Sequence, residues 1–99
     1  MDRNVRSKNK PAMTVAERAY VTRVKLLPCS VCDSGGGEFS PSEAHEIRQG
    51  QWFTAVALCA DCHRGSHNSV GRGIWRVKKM TELDALAVTI QRLQMEISA

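Results

Sequence analysis

Apolar and polar positions alternate along this chain in patterns that predict distinct elements. Between Thr14 and Pro28, the apolar side chains Ala16, Ala19, Tyr20 and Val24 recur at helical intervals and mark an inward face. Thr14 and Glu17 match a capping box, in which each side chain satisfies a backbone donor at the helix start. Pro28 should stop the helix, so it is expected over about Val15 to Leu26, delivering Cys29 to the mouth of a turn. Asp33-Ser-Gly-Gly-Gly37 reads as a tight turn, and residues 38–50 are polar. The run Gln51-Trp-Phe-Thr-Ala-Val-Ala-Leu58 has the β-branched and aromatic content of a strand and leads into Cys59. Its hairpin partner is expected around His45 and Ile47. A short helical stretch after Cys62 carries His63 and His67, followed by a glycine-rich loop, Gly71-Arg-Gly73. Thr81 and Asp84 repeat the capping pattern. Leu83, Leu86, Ile90, Leu93 and Ile97 then fall at helical spacing over residues 82–97, the pattern of a helix packed on a core.

The pattern describes one small domain, residues 14–99, preceded by a flexible basic arm over residues 1–13. At 99 residues the chain is near the lower limit for folding unaided. A domain of this size buries only about 60–65% of its unfolded surface, so a covalent or metal staple is often recruited. Four cysteines are available, as Cys29-Ser-Val-Cys32 and Cys59-Ala-Asp-Cys62. Two residues between cysteines let one turn present both thiolates to a single ion at about 2.3 Å, and two such turns close a tetrahedron. The spacing therefore points to a structural zinc on Cys29, Cys32, Cys59 and Cys62. A redox pair would want a βαβ context, and disulfides would want an oxidising compartment. Cys59-Ala-Asp-Cys62-His63 also fits the c-type haem attachment pattern, but that leaves Cys29 and Cys32 unexplained.

Charge adds an asymmetry. Residues 1–28 are net basic, and residues 64–80 carry Arg64, Arg72, Arg76, Lys78 and Lys79 with no acid. Between them, residues 29–63 set Arg48 against Asp33, Glu38, Glu43, Glu46 and Asp61. Basic flanks suit a phosphate backbone, and an acidic, histidine-containing centre suits a divalent cation. A solvated surface rich in lysine and arginine would give the same totals. No stretch approaches the roughly 20 apolar residues of a membrane span. The polar start, MDRNVRSKNK, lacks a signal peptide's apolar region, so a reducing, cytoplasmic setting is expected.

Of the three histidines, His63 and His67 stand four apart, so on a helix both rings would share a face and could share a cation. Ala44-His45-Glu46-Ile47, then Val56-Ala57-Leu58-Cys59-Ala60-Asp61-Cys62-His63, then His67, resembles an HNH (ββα-metal, His-Me finger) nuclease with embedded zinc knuckles. SEAHEIRQGQWF, LCADCHRGSHN and the tail WRVKKMTELDALAVTIQRL are similar to small phage and prophage members of that family. Among these, the likeness is to the recombination-enhancement nucleases that act with RecA. The resemblance spans residues 29–93 and implies an α+β fold, in which a zinc-stabilised ββα unit is flanked by N- and C-terminal helices.

The resemblance also implies roles. His45 would be a ligand of a catalytic Mg²⁺ or Mn²⁺, completed by His63 and His67, and the ion would assist hydrolysis of a DNA phosphodiester. Glu46 stands where the family usually has the histidine that deprotonates water. Thr54 stands where it usually has a loop asparagine. Either Glu46 is the base, or His45 is the base and Glu43 or Glu46 joins His63 and His67 as a ligand. Arg48, Arg64, Arg72, Arg76 and Lys78 are candidate contacts to DNA, since guanidinium forks suit phosphate oxygens. The expected partners are DNA and a RecA-type recombinase filament in a bacterial host, with no membrane and no small-molecule cofactor. Two other readings fit the same residues. One is a non-catalytic zinc module that binds DNA or a recombination protein, and the other is a zinc-stabilised adaptor.

Overall fold

The computed structural model describes residues 12–98, with side chains of the last helix as far as Met95. The arm expected over residues 1–13 lies outside the described residues except for Ala12 and Met13. Helix α1 spans Val15–Lys25, and its capping box is formed from both sides: Thr14 Oγ1 accepts from Glu17 N–H and Glu17 Oε1 accepts from Thr14 N–H. Strand β1 (Glu43–Glu46) pairs antiparallel with β2 (Ala55–Leu58), with His45 opposite Val56. Helix α2 (Ala60–Arg64) follows directly, then α3 (Ile74–Lys78) and the long α4 (Glu82–Ser98). The result is a small α+β fold whose centre is a two-stranded sheet followed by a helix. Among the described residues, no helix is long and apolar enough to cross a membrane.

Strand β2 is the pivot of the core, because all four of its residues are buried. Alternation along the strand sends Val56 and Leu58 to one face and Ala57 to the other. Val56 and Leu58 pack with Cys29, Cys62 and Ala85, with Trp75, Met80 and Leu86 around them. Ala57 packs with Val24, Leu27 and Leu93, beside Tyr20 and Ala44. A strand covered on both faces reads as an unbroken apolar run, which is why it stands out in the sequence. Each buried Val or Leu contributes about 1.5–3 kcal/mol relative to exposure.

Several expectations need correction. The strand expected from Gln51 begins only at Ala55, because Trp52–Thr54 coils into a 3₁₀ turn. Thr54 closes that turn: its hydroxyl donates to Gln51 O at 2.7 Å and accepts from Arg48 N–H at 3.1 Å. On α1 the expected Val24 is buried and Tyr20 half-buried, but Ala16 and Ala19 are exposed and Val21 is buried in their place. On α4 the inward face is Ala85, Thr89 and Leu93, whereas Leu83 is 70% exposed and Ile90 is partly so. Close packing explains this shift. Thr89 Oγ1 meets Ser30 Oγ at 2.7 Å and accepts weakly from Ala57 N–H at 3.4 Å, so α4 approaches β2 through small and hydroxyl side chains. Ser30 N–H also donates to Ala57 O, which lays the first cysteine turn along the free edge of β2. Gly71–Gly73, expected as a loop, leads into α3, an element the apolar pattern did not predict.

Candidate metal centre and a neighbouring histidine pair

Both cysteine turns are built by the same local device. In the first, Cys29 Sγ accepts from Val31 N–H at 3.4 Å and, more weakly, from Cys32 N–H at 3.5 Å. Asp33 N–H returns to Cys29 O, and Asp33 then turns through a positive φ of 66° to Ser34, whose carbonyl accepts from Cys29 N–H. In the second, Cys59 is the N-cap of α2: its sulfur accepts from Cys62 N–H at 3.4 Å and its carbonyl from His63 N–H at 2.9 Å. Amide donors aimed at sulfur favour the thiolate and fix the side-chain direction.

The two turns bring the four sulfurs together, all within 4.8 Å of one another. Cys32 Sγ and Cys59 Sγ are 3.8 Å apart, far beyond a disulfide bond of about 2.05 Å. It is close to the roughly 3.8 Å edge of a tetrahedron with metal–sulfur bonds of about 2.3 Å. Cys29 and Cys62 are buried, Cys59 half-buried and Cys32 exposed. Burial pushes the Cys29 and Cys62 thiols up, and for Cys62 the neighbouring sulfurs add to it. At Cys32 burial also raises the thiol, but hydrogen bonds from Ser34 and the adjacent cysteines outweigh it and bring it to about 7. Four crowded sulfurs resist ionising together unless a cation offsets their charge. The donor set therefore fits a metal ion such as zinc, held by Cys29, Cys32, Cys59 and Cys62.

The histidines are arranged differently. His45 on β1 and His63 on α2 meet edge to face, with ring centroids 5.1 Å apart. Each ring gives one nitrogen to a carboxylate. His63 Nδ1 bonds Glu43 Oε1 at 2.8 Å, and His45 Nε2 bonds Glu82 Oε2 at 2.9 Å. A carboxylate only accepts, so the bonded nitrogen carries a proton, and in the neutral rings the lone pairs are those of His45 Nδ1 and His63 Nε2. Glu43 is also gripped by Arg64, with Nε 3.0 Å from both oxygens and Nη2 2.7 Å from Oε2. The Arg64 fork, aided by His63, holds the Glu43 carboxyl at about 2 despite the opposing effect of burial. Glu46, at the end of β1, accepts from Gly50 N–H at 2.7 Å. Ala44, His45, Glu46, Gln49 and His63 line one open concavity.

His67 does not join them. Helix α2 ends at Arg64, and Gly65 turns the chain away with its N–H on Asp61 O. A Cβ at Gly65 would lie 2.5 Å from that oxygen, so the turn depends on glycine. His67 is exposed beside Asp61, Ser66 and Asn68 around a separate concavity, and the expected i, i+4 histidine face is not formed. Among the described residues, the four cysteines are the one group of three or more whose ligand atoms converge.

Thr54 falls in the hairpin connection before β2, where its hydroxyl ties the loop backbone. Arg48, Arg72, Arg76 and Lys78 are exposed, the last two on α3, whereas the Arg64 guanidinium is spent on Glu43. Two functional candidates escaped the sequence reading. Glu82 reaches His45 across 37 positions, and Arg92 donates to Pro28 O and Cys29 O and pairs with Asp33. Neither carries a local signal, because each acts through a contact that only the folded chain creates.

No family model, no curated protein and no solved structure matches this chain.

Proposed function

We propose that this protein is a zinc-stabilised, metal-dependent DNA endonuclease of the HNH type. The observation that carries the reading is the pairing of His45 and His63 on a strand–strand–helix unit, each ring with one nitrogen tied to a carboxylate and the other free. Carboxylate-backed imidazoles are the usual form of metal-binding histidines, because the outer partner fixes the tautomer and raises ligand basicity. A divalent cation at the two free nitrogens would neutralise the scissile phosphate and the charge developing on the leaving 3′-oxygen. Glu46 lines the same opening and is the proposed base that takes the proton from the attacking water. Glu43 and Arg64 hold His63 in place, and the exposed Arg72, Arg76 and Lys78 supply backbone phosphate contacts. The four cysteines hold zinc in a structural role.

One observation favours a second reading, a zinc module that binds DNA or a recombination protein without cutting. His67 stands apart, so His45 and His63 lack the third histidine the family pattern would provide. A cleavage assay separates the two. Zinc-loaded protein is incubated with single-stranded, duplex and branched DNA, with and without Mn²⁺, and with and without RecA filaments. The endonuclease reading expects cutting that EDTA stops and that His45→Ala and His63→Ala abolish while zinc content is unchanged. DNA bound but uncut under every condition establishes the binding module.

A further inference from the structure

The C-terminal helix carries a group that reaches outside the strand–strand–helix unit to one of its histidines. Two acids, Glu82 and Asp84, stand in the first turn of α4. Asp84 is occupied by the cap: its Oδ2 accepts from Thr81 N–H at 2.8 Å while Thr81 Oγ1 accepts from Asp84 N–H at 3.1 Å. Glu82 has no part in the cap. Its carboxylate meets His45 Nε2 at 2.9 Å, with 18% of the imidazole and 38% of the carboxylate side chain exposed.

The opening of α4 is itself held in place from behind. Lys79 turns through φ 55° and Met80 N–H returns to Trp75 O, while Ala85, one turn into α4, is fully buried against β2. The helix start is therefore anchored on both sides of Glu82, and the carboxylate is presented to His45 from a fixed base. This is what a positioning group requires.

We propose that Glu82 is a positioning residue for His45. By holding the proton on Nε2 it leaves Nδ1 as the nitrogen that faces a divalent cation shared with His63. The inference rests on the cation site in the endonuclease reading and adds to it a residue from outside the two strands and α2. A purely structural role for the same bond would be to dock α4, and the two roles separate experimentally.

The test is Mn²⁺ binding to the zinc-loaded full chain, followed through paramagnetic broadening of the His45 and His63 ring signals, together with the imidazole ¹⁵N spectrum. The proteins compared are wild type, Glu82→Ala, Glu82→Gln and Glu82→Asp. Wild type is expected to hold His45 as the Nε2–H tautomer and to bind Mn²⁺ at both rings. Glu82→Ala should redistribute the His45 tautomers, leave His63 unchanged and weaken Mn²⁺ about ten- to a hundred-fold, the usual cost of losing an outer carboxylate partner. Glu82→Gln keeps an acceptor oxygen and should recover part of the loss.

Unchanged Mn²⁺ affinity in Glu82→Ala, with only a lower melting temperature, overturns the proposal in favour of docking. Absence of Mn²⁺ broadening at His45 and His63 in the wild type overturns it as well. Should Glu82→Ala fail to fold, the tautomer and affinity of the Gln and Asp variants decide by the same criteria. Mn²⁺ bound in a Glu82-dependent manner without any DNA cleavage would refute the endonuclease reading and leave the role of Glu82 standing.

Discussion

The cysteine cluster and the histidine pair lie on neighbouring parts of the same sheet and helix, yet they are built on opposite principles. At the cysteines, backbone amides preset each sulfur, and four donors converge until no position is left open. At the histidines, two rings meet with one nitrogen each engaged by a carboxylate, and the space beside them opens to solvent. A closed shell suits an ion whose work is to hold the fold, and an incomplete shell suits one that must also meet a substrate. Loss of the first site should cost the fold, and loss of the second should leave the fold standing at a modest cost in stability.

The sharpest way to break this contrast is to remove the metal. Chelation, Cys29→Ser or Cys59→Ser should abolish cooperative unfolding, since structural zinc contributes about 10–16 kcal/mol against a net stability of roughly 5–15 kcal/mol for a domain. A cooperative melt of metal-free protein, followed by circular dichroism, would show that the cysteines do not carry the fold. Next in size is the face of α4. Leu93→Ala should cost about 2–5 kcal/mol in denaturant melts, whereas Leu83→Ala should stay within about 0.5 kcal/mol. Equal costs would mean that the helix packs on the leucine stripe of its sequence.

Thr89→Val should cost about 1–3 kcal/mol, because it preserves shape but strands the Ser30 hydroxyl and the Ala57 amide. A neutral result would show that α4 is held by apolar contact alone. The smallest effect concerns acid. Glu43 sits at about 2 in the folded protein against about 4.3 unfolded, so its pairing stabilises the fold above about pH 4.3 and is lost as pH falls toward 2. The stability difference between wild type and Arg64→Ala should therefore be constant above about pH 5 and shrink below it. Thiolates also take up protons and release metal in acid, so the difference between the two proteins is the readout. A difference that grows in acid would contradict the pairing.

What the sequence disclosed follows the range of each interaction. The knuckle spacing and the Thr14–Glu17 and Thr81–Asp84 boxes are local, and all of them form as the spacing implies. Strand β2 was legible because both its faces are covered, although Thr54 trims its start through hydrogen bonds that no periodicity reveals. His67 was misplaced because the helical interval was extended past Gly65, where Asp61 O leaves no room for a side chain. The inward face of α4 was legible at Leu93 but not at Thr89, for another reason. Thr89 is polar, and its burial is satisfied by Ala85 O within the helix together with Ser30 and Ala57, which the fold brings from 59 and 32 positions away. Glu82 belongs with it, since an acid in a first helical turn looks like dipole compensation until the fold brings His45 to meet it.

The bonds from Arg92 to Pro28 O and Cys29 O, and from Arg23 to Leu93 O, join residues 63 to 70 positions apart. Such closures are slow to find by diffusion, because the chain gives up the entropy of a long loop before any contact repays it. The knuckles come together over a much shorter path, so capture of a metal ion between them can precede the docking of α4 and shorten the stretch of chain that Arg92 must still close. In a growing chain the order is imposed in any case. Cys62 leaves the ribosome some thirty residues ahead of Arg92, and a nascent chain halted after Lys79 already has all four sulfurs but nothing to cover the Ser30 side of β2.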